Sequence, residues 1–224
     1  MRKTKIICTL GPSTDNRETL KQLILNGMNV ARFNFSHGDH KEQKERFELL
    51  KSVREELGVP VAALLDTKGP EIRTGLLKEG KKVTLVDGQT FTLTTKNIQG
   101  DKNGCSINYD GLADDVEPGN QILIDDGLIG LEVQEVQGTE IICKVLNGGE
   151  LGERKGVNVP NVKVNLPAIT DKDRQDIVFG VEQGFDFIAA SFVRNVDAVL
   201  EIKELLQEYG CSDMKVIAKI ENQE

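Results

Sequence analysis

Val61-Ala62-Ala63-Leu64-Leu65-Asp66-Thr67-Lys68-Gly69-Pro70-Glu71-Ile72-Arg73-Thr74-Gly75 is the stretch whose reading decides the fold. An apolar run typical of a buried strand stops at a carboxylate. A hydroxyl, cations, a second carboxylate, glycines and a proline follow in one short connection. A buried strand has no structural use for so many charges at its end, because desolvated polar groups need partners. The stretch therefore reads as a site and a domain junction together. Before it the chain alternates strand and helix patterns, and after it the texture changes.

Upstream, Lys5 to Leu10 reads as a strand closed by Gly11-Pro12. The opening Met1 to Leu10 imitates a signal peptide, but its apolar stretch is short and lacks a small-residue cleavage site, so a first buried strand is expected. Asp15 with Glu18 is a capping-box-like helix start, Leu20, Leu23 and Ile24 give the helical stripe, and Gly27 is the stop. Met28 to Phe35 is a second strand. A longer helix runs from His40 to Leu57 with Phe47, Leu50, Val53 and Leu57 on one face and Gly58 as its stop. Val61 to Leu65 is the third strand.

Downstream, the helical period disappears from Glu71 to Leu166. Lys82–Val86 and Gln89–Thr95 flank Asp87-Gly88, a two-residue hairpin signal. Gln121–Asp125, Ile129–Val136 and Ile141–Leu146 are further strand-like runs bounded by turn residues, and Gly148-Gly149 reads as a turn. Closely spaced short strands predict a small closed or partly closed β-barrel with no helix of any length. Alternation then returns. Thr170 with Asp173 caps a helix with Ile177, Val178 and Val181 inward, Phe187–Ser191 is a fourth strand, Val196–Tyr209 a helix, and Met214–Ile220 a fifth strand. Parallel strands with helical crossovers predict an α/β fold: a partial (β/α)8 TIM barrel with an inserted small all-β barrel domain. The expected boundaries are 1–69 with 168–224 for the barrel and 70–167 for the insertion. A doubly wound open sheet is the alternative.

Composition narrows the function classes. A net charge of -8 and a pI near 5.0 argue against a nucleic-acid partner. Cys8, Cys105, Cys143 and Cys211 form no CxxC pair, which points to reduced thiols in a cytoplasmic protein. No apolar run approaches the ~20 residues of a membrane span. No GxxxxGK[ST] loop or GxGxxG follows a strand, and neither His37 nor His40 has a second ligand at zinc spacing.

Two strand ends could carry chemistry. Arg32, Asn34 and Ser36 alternate with Phe33 and Phe35, so the polar groups share one face. Either this is an edge strand with a solvated face, or it is a ligand or cation site at the carboxyl end of a barrel strand. Lys219 and Glu221 likewise share a face at the end of the fifth strand. They are either a self-neutralising ion pair, or a lysine for a developing anion beside a carboxylate for a divalent metal. Asp66 would join the same end.

At these residues the chain resembles the pyruvate kinase family. The resemblance rests on Ala31-Arg32-Phe33-Asn34-Phe35-Ser36-His37-Gly38, Leu65 to Gly75, Lys155-Gly156-Val157-Asn158-Val159-Pro160, Asp186 to Phe192 and Lys219-Ile220-Glu221-Asn222, in the family's order. It implies a barrel interrupted after its third strand by a mobile β-barrel lid, with a hinge at Gly69-Pro70. It implies phosphoryl transfer from phosphoenolpyruvate to ADP, giving pyruvate and ATP, in a cytoplasmic homotetramer. By the same resemblance Asn34, Ser36, Asp66 and Thr67 match a potassium (K+) site, and Glu221 a magnesium ligand (Mg2+ or Mn2+). Arg32 and Lys219 match substrate-binding and catalytic residues. Arg73, Lys155, His37 and Asn34 match nucleotide contacts.

The family's remaining carboxylate, anion-binding loops, last barrel strands and C-terminal domain are expected beyond Glu224. On that expectation the chain is an N-terminal portion, inactive alone. Two other readings stay open: another phosphoenolpyruvate- or pyruvate-handling barrel, such as an aldolase or lyase, and a nucleotide- or metal-binding module without turnover.

Overall fold

The computed structural model describes residues 3–221, which form two compact units, 3–70 with 168–221 and 71–167. The first unit opens with β1 (Ile6–Leu10), α1 (Arg17–Leu25), β2 (Met28–Asn34), α2 (His40–Leu57) and β3 (Ala62–Asp66). α2 has the bounds its pattern predicts. Asp39 Oδ1 accepts from the Glu42 N–H, Gly58 closes the helix at φ 62°, and Phe47, Leu50 and Val53 are buried. α1 departs from expectation, because its cap is Asn16, which accepts from the Thr19 N–H. Asp15 instead takes the Arg46 guanidinium through both oxygens at 2.6 Å, a charge-assisted fork stronger than one backbone bond.

The second unit contains β4 (Ile72–Arg73), β5 (Val83–Leu85), β6 (Thr90–Thr94) and β7 (Gly104–Ser106), then one helical turn, α3 (Leu112–Asp115). β8 (Gln121–Ile124), β9 (Ile129–Gln137), β10 (Glu140–Asn147), β11 (Gly149–Leu151) and β12 (Gly156–Asn158) follow. Its main sheet runs β4-β12-β8-β9-β10-β6-β7. The two ends meet, since the Gly75 N–H donates to Ser106 O at 2.7 Å and the Asn108 N–H to Arg73 O at 3.0 Å. The sheet is thereby closed into a barrel, which removes its edges, around Phe91, Leu93, Ile122, Leu131 and Ile141.

Three expectations for this unit are corrected. β5 and β6 form no hairpin: β5 pairs with β11 and β6 with β10. A tight hairpin of the Asp-Gly type needs positive φ at both central residues, and here only Gly88 has it, at 82°. Asp87 Oδ1 accepts from the Gly148 N–H at 2.6 Å, so this corner passes the chain between sheets. Gly149 is the first residue of β11, and a Cβ on Gly148 would meet Leu85 O at 2.2 Å, so the pair serves close strand approach rather than a turn. The α3 turn was not foreseen; it is too short for a helical period, and Leu112, with Ala113 packed beside it, anchors it in the core.

The first unit resumes with α4 (Asp171–Gln183), β13 (Phe187–Ala190), α5 (Val196–Glu208) and β14 (Lys215–Ala218). Its sheet order is β1-β2-β3-β13-β14, with every neighbouring pair parallel. Strands laid down in sequence without a reversal are the winding of a (β/α) barrel; a doubly wound sheet must reverse at a switch point. Phe33 on β2 and Phe35 just beyond it pack under the helices with Phe47, Phe179 and Phe185, and Phe47 stacks on Phe185 at 4.5 Å. β1 is not the buried strand expected. It lies at the sheet edge, where Ile6 and Ile7 are 37% and 53% exposed and only Leu10 is buried. Among the described residues no helix is long and apolar enough to cross a membrane.

Candidate active site

Cross-strand register gathers the polar residues of the first unit. Thr9 pairs with Arg32, and Asn34 with Asp66; Asp66 pairs with Ala189, and Ala189 with Ile217. Ser191 and Lys219 lie two residues beyond Ala189 and Ile217, so the period of two puts all of them on one face at the carboxyl ends. β2 lies between β1 and β3, which rules out the solvated edge strand.

Asp66 is the centre of this face and only 2% exposed. Arg32 donates to its Oδ2 from Nε at 2.9 Å and also from its NH2 nitrogen, while the other terminal nitrogen donates to Thr9 Oγ1 at 2.8 Å. Lys219 Nζ lies 3.2 Å from Asp66 Oδ1. That contact is an ion pair without a directed hydrogen bond, and Oδ1 has no hydrogen-bond donor among the described residues. A buried carboxylate is tolerable here because cations flank both oxygens.

Lys219 is a hub rather than half of a closed pair. Besides Asp66, its Nζ donates to Ser191 Oγ at 2.8 Å and lies 3.4 Å from Glu221 Oε1. Glu221 Oε2 accepts from the Phe192 N–H at 3.1 Å. Phe192 has φ 55°, a conformation that costs a bulky residue ~1–3 kcal/mol and tends to collect at functional sites. Thr67 is buried beside Asp66, and Ser191 donates to it twice, from Oγ to Thr67 O at 2.6 Å and from N to Thr67 Oγ1 at 3.1 Å.

Beyond β2 the chain turns on itself. Asn34 Oδ1 accepts from the Ser36 N–H at 3.0 Å, and Gln43 Nε2 donates to the carbonyls of Asn34 and His37. Ser36 and His37 are exposed. Asn222 lies outside the described residues. The sequence reading missed Ser191, Thr9 and Gln43. Gln43 had a signal, a polar residue on the stripe of Phe47 and Leu50 that is only 2% exposed. It also missed buried Asp176, which accepts from Lys172 Nζ at 2.6 Å and lies 2.7 Å from His40 Nε2.

Asn34, Ser36, Asp66, the Thr67 carbonyl and Glu221 offer oxygen ligands, which suit hard cations rather than softer metals. The buried Asp66 Oδ1, without a hydrogen-bond donor, is the atom that fits a cation best. Among the described residues no three His, Cys, Asp or Glu side chains converge, so a metal held here would draw on carbonyl, hydroxyl and solvent oxygens as well.

In the second unit, the register sets Arg73 opposite Gly156 and Thr74 beside Lys155. The Thr74 N–H donates to Lys155 O, and the Lys155 N–H to Thr74 Oγ1, both at 2.8 Å. Arg73 Nε lies 2.8 Å from Glu71 Oε1, and its two terminal nitrogens donate to Glu71 Oε2 and Arg154 O. The hydrogen bond to Glu71 raises the guanidinium pKa above its usual range. Lys155 Nζ is 2.9 Å from Asp125 Oδ2.

A family model described as the pyruvate kinase barrel domain matches residues 1–224. The pyruvate kinase of Clostridium perfringens is 52% identical over 225 residues, covering 100% of this chain and 47% of its own length. Those of Bacillus licheniformis and Geobacillus stearothermophilus are each 52% identical, again over 100% of this chain and 38% of their own lengths. The chain thus spans less than half the length of the curated relatives it matches. A match that runs through both units, at about half identity, makes the chain a member of the pyruvate kinase family.

Proposed function

We propose that the chain supplies part of the active site for phosphoryl transfer from phosphoenolpyruvate to ADP, giving pyruvate and ATP. One observation carries this reading: two cations, Arg32 and Lys219, converge on the buried Asp66 at the ends of parallel strands, with Glu221 beside them. In the transfer, the bond from phosphorus to the enol oxygen breaks and one to the terminal ADP oxygen forms; the enolate then takes up a proton. The protein's task is alignment and relief of negative charge on the phosphoryl oxygens.

Arg32 would hold the phosphate of the donor substrate, and Lys219 would follow the phosphoryl group as it moves. Both are anchored on the single carboxylate of Asp66, so their charge is held in place within a chain of net charge -8. Asn34, Ser36, Asp66 and the Thr67 carbonyl would hold K+, and Glu221 would hold Mg2+ or Mn2+. When bound, these ions supply further positive charge at the transferring group. Arg73 and Lys155, with His37 and Asn34, would take the nucleotide phosphates, Arg73 and Lys155 exchanging Glu71 and Asp125 for phosphate oxygens. The test is a coupled assay of the intact protein with phosphoenolpyruvate, ADP, Mg2+ and K+. ATP formation that needs all four is expected; its absence in folded protein would overturn the proposal.

A further inference from the structure

Ser191 has no role in the reading above, yet it joins two of its parts. The hydroxyl accepts from Lys219 Nζ at 2.8 Å and lies 2.6 Å from Thr67 O. Proton counting fixes the direction of this chain. An ammonium group only donates and a carbonyl only accepts, so the single serine proton must point at Thr67. The order is Nζ–H to Oγ, then Oγ–H to the carbonyl. The Ser191 N–H returns to Thr67 Oγ1 at 3.1 Å, and the Thr67 N–H donates to Ala189 O at 3.0 Å, so both residues are pinned.

The serine and threonine links of the chain are enclosed. Ser191 and Thr67 are 6% and 4% exposed. Gly69 passes so close that a Cβ there would lie 2.7 Å from Ser191 O and 2.9 Å from Ser191 Cβ, so the segment after β3 packs directly on Ser191. A carbonyl oxygen has two lone pairs, and Ser191 engages one of them. The other is thereby given a fixed direction.

We propose that Ser191 is a positioning residue that couples the monovalent-cation site to Lys219. The inference rests on the proposed potassium role of the Thr67 carbonyl. A cation on that carbonyl and the ammonium of Lys219 would share one hydroxyl bridge, so each orders the group that the other needs. Hydrogen bonds in such chains polarise one another, and truncation at the middle removes one tether from each end. Thermodynamic reciprocity then requires that whatever fixes Lys219 also tightens the cation.

The test uses the intact protein and the variants Ser191→Ala, Ser191→Cys and Ser191→Thr. Potassium is titrated against two readouts, steady-state turnover and the rise of Tm without substrates, with choline chloride holding ionic strength constant. Losing a hydrogen bond to a charged group is expected to raise half-saturating K+ about tenfold in both readouts for Ser191→Ala, and to lower kcat at saturating K+ about tenfold. Ser191→Thr, which keeps the hydroxyl, should restore most of the K+ affinity. Ser191→Cys keeps the shape with a poor donor and should behave as Ser191→Ala does, so it serves if the alanine variant fails to fold.

A fall in kcat or Tm with half-saturating K+ unchanged would overturn the coupling and leave Ser191 a packing residue. A wild-type protein with no K+ response in either readout would overturn the cation-site reading itself. A wild-type response together with an unaltered serine variant would overturn only the coupling.

Discussion

Asp66 holds two cations on its face, and its removal has two separable consequences. Arg32 and Lys219 would lose their shared counter-charge, but their side chains are 32% and 29% exposed and can take up water. Asp66→Ala is therefore expected to cost ~1–3 kcal/mol in urea melts, less than breaking a fully buried pair. The same variant should abolish the K+ response of turnover; an unchanged response would sink the cation assignment. Cys105 and Cys143 give a second test at this scale, because burial pushes both thiols from the ordinary 9.0 to about 12. A raised folded-state pKa means the stability they contribute is intact below pH 9.0 and is lost as pH rises toward about 12. Urea melts across that window should show the decline, and Cys105→Ala with Cys143→Ala should flatten it. The residues that meet around Asp66 were legible in the sequence because strand alternation puts Arg32 and Asn34 opposite two phenylalanines. Ser191 was not, since a serine ending an apolar strand has nothing to distinguish it until the register sets it against Thr67.

Among the elements, α4 begins on a residue with two tasks. Asp173 is 1% exposed, closes the capping box with Thr170, and accepts from the Gly69 N–H at 2.9 Å. It thus ties the end of the segment after β3 to the start of α4. Asp173→Ala loses a cap worth about 1 kcal/mol and leaves a buried N–H unpaired at ~1–3 kcal/mol. A fall in stability of about 3 kcal/mol is expected by urea denaturation; a loss no larger than an ordinary cap would contradict the double role. The cap itself was legible from Thr170 and Asp173, but the bond to Gly69 was not, because it joins residues far apart in sequence. The failed hairpin has the same cause. Asp87-Gly88 does turn the chain, but pairing is decided by β10 and β11, which take β6 and β5 apart. Local turn chemistry reads direction well and partners poorly.

At the scale of the molecule, sequential parallel order in one unit and closure of the sheet in the other are what position the chemistry. Strand order without reversal delivers Arg32, Asp66, Ser191 and Lys219 from successive strands to the same ends, as barrel winding requires. The architecture was legible because alternating texture stops and resumes around the insertion. The exposure of β1 was not, since a strand's flanks are set by its neighbours and not by its own apolar content. The central claim is that Lys219 stabilises the moving phosphoryl group, and Lys219→Met in the intact protein tests it most directly. With wild-type Tm and saturating phosphoenolpyruvate, ADP, Mg2+ and K+, kcat for ATP formation should fall by about 100- to 1,000-fold, the scale of removing one charge-stabilising donor. A kcat within about twofold of wild type would contradict the claim.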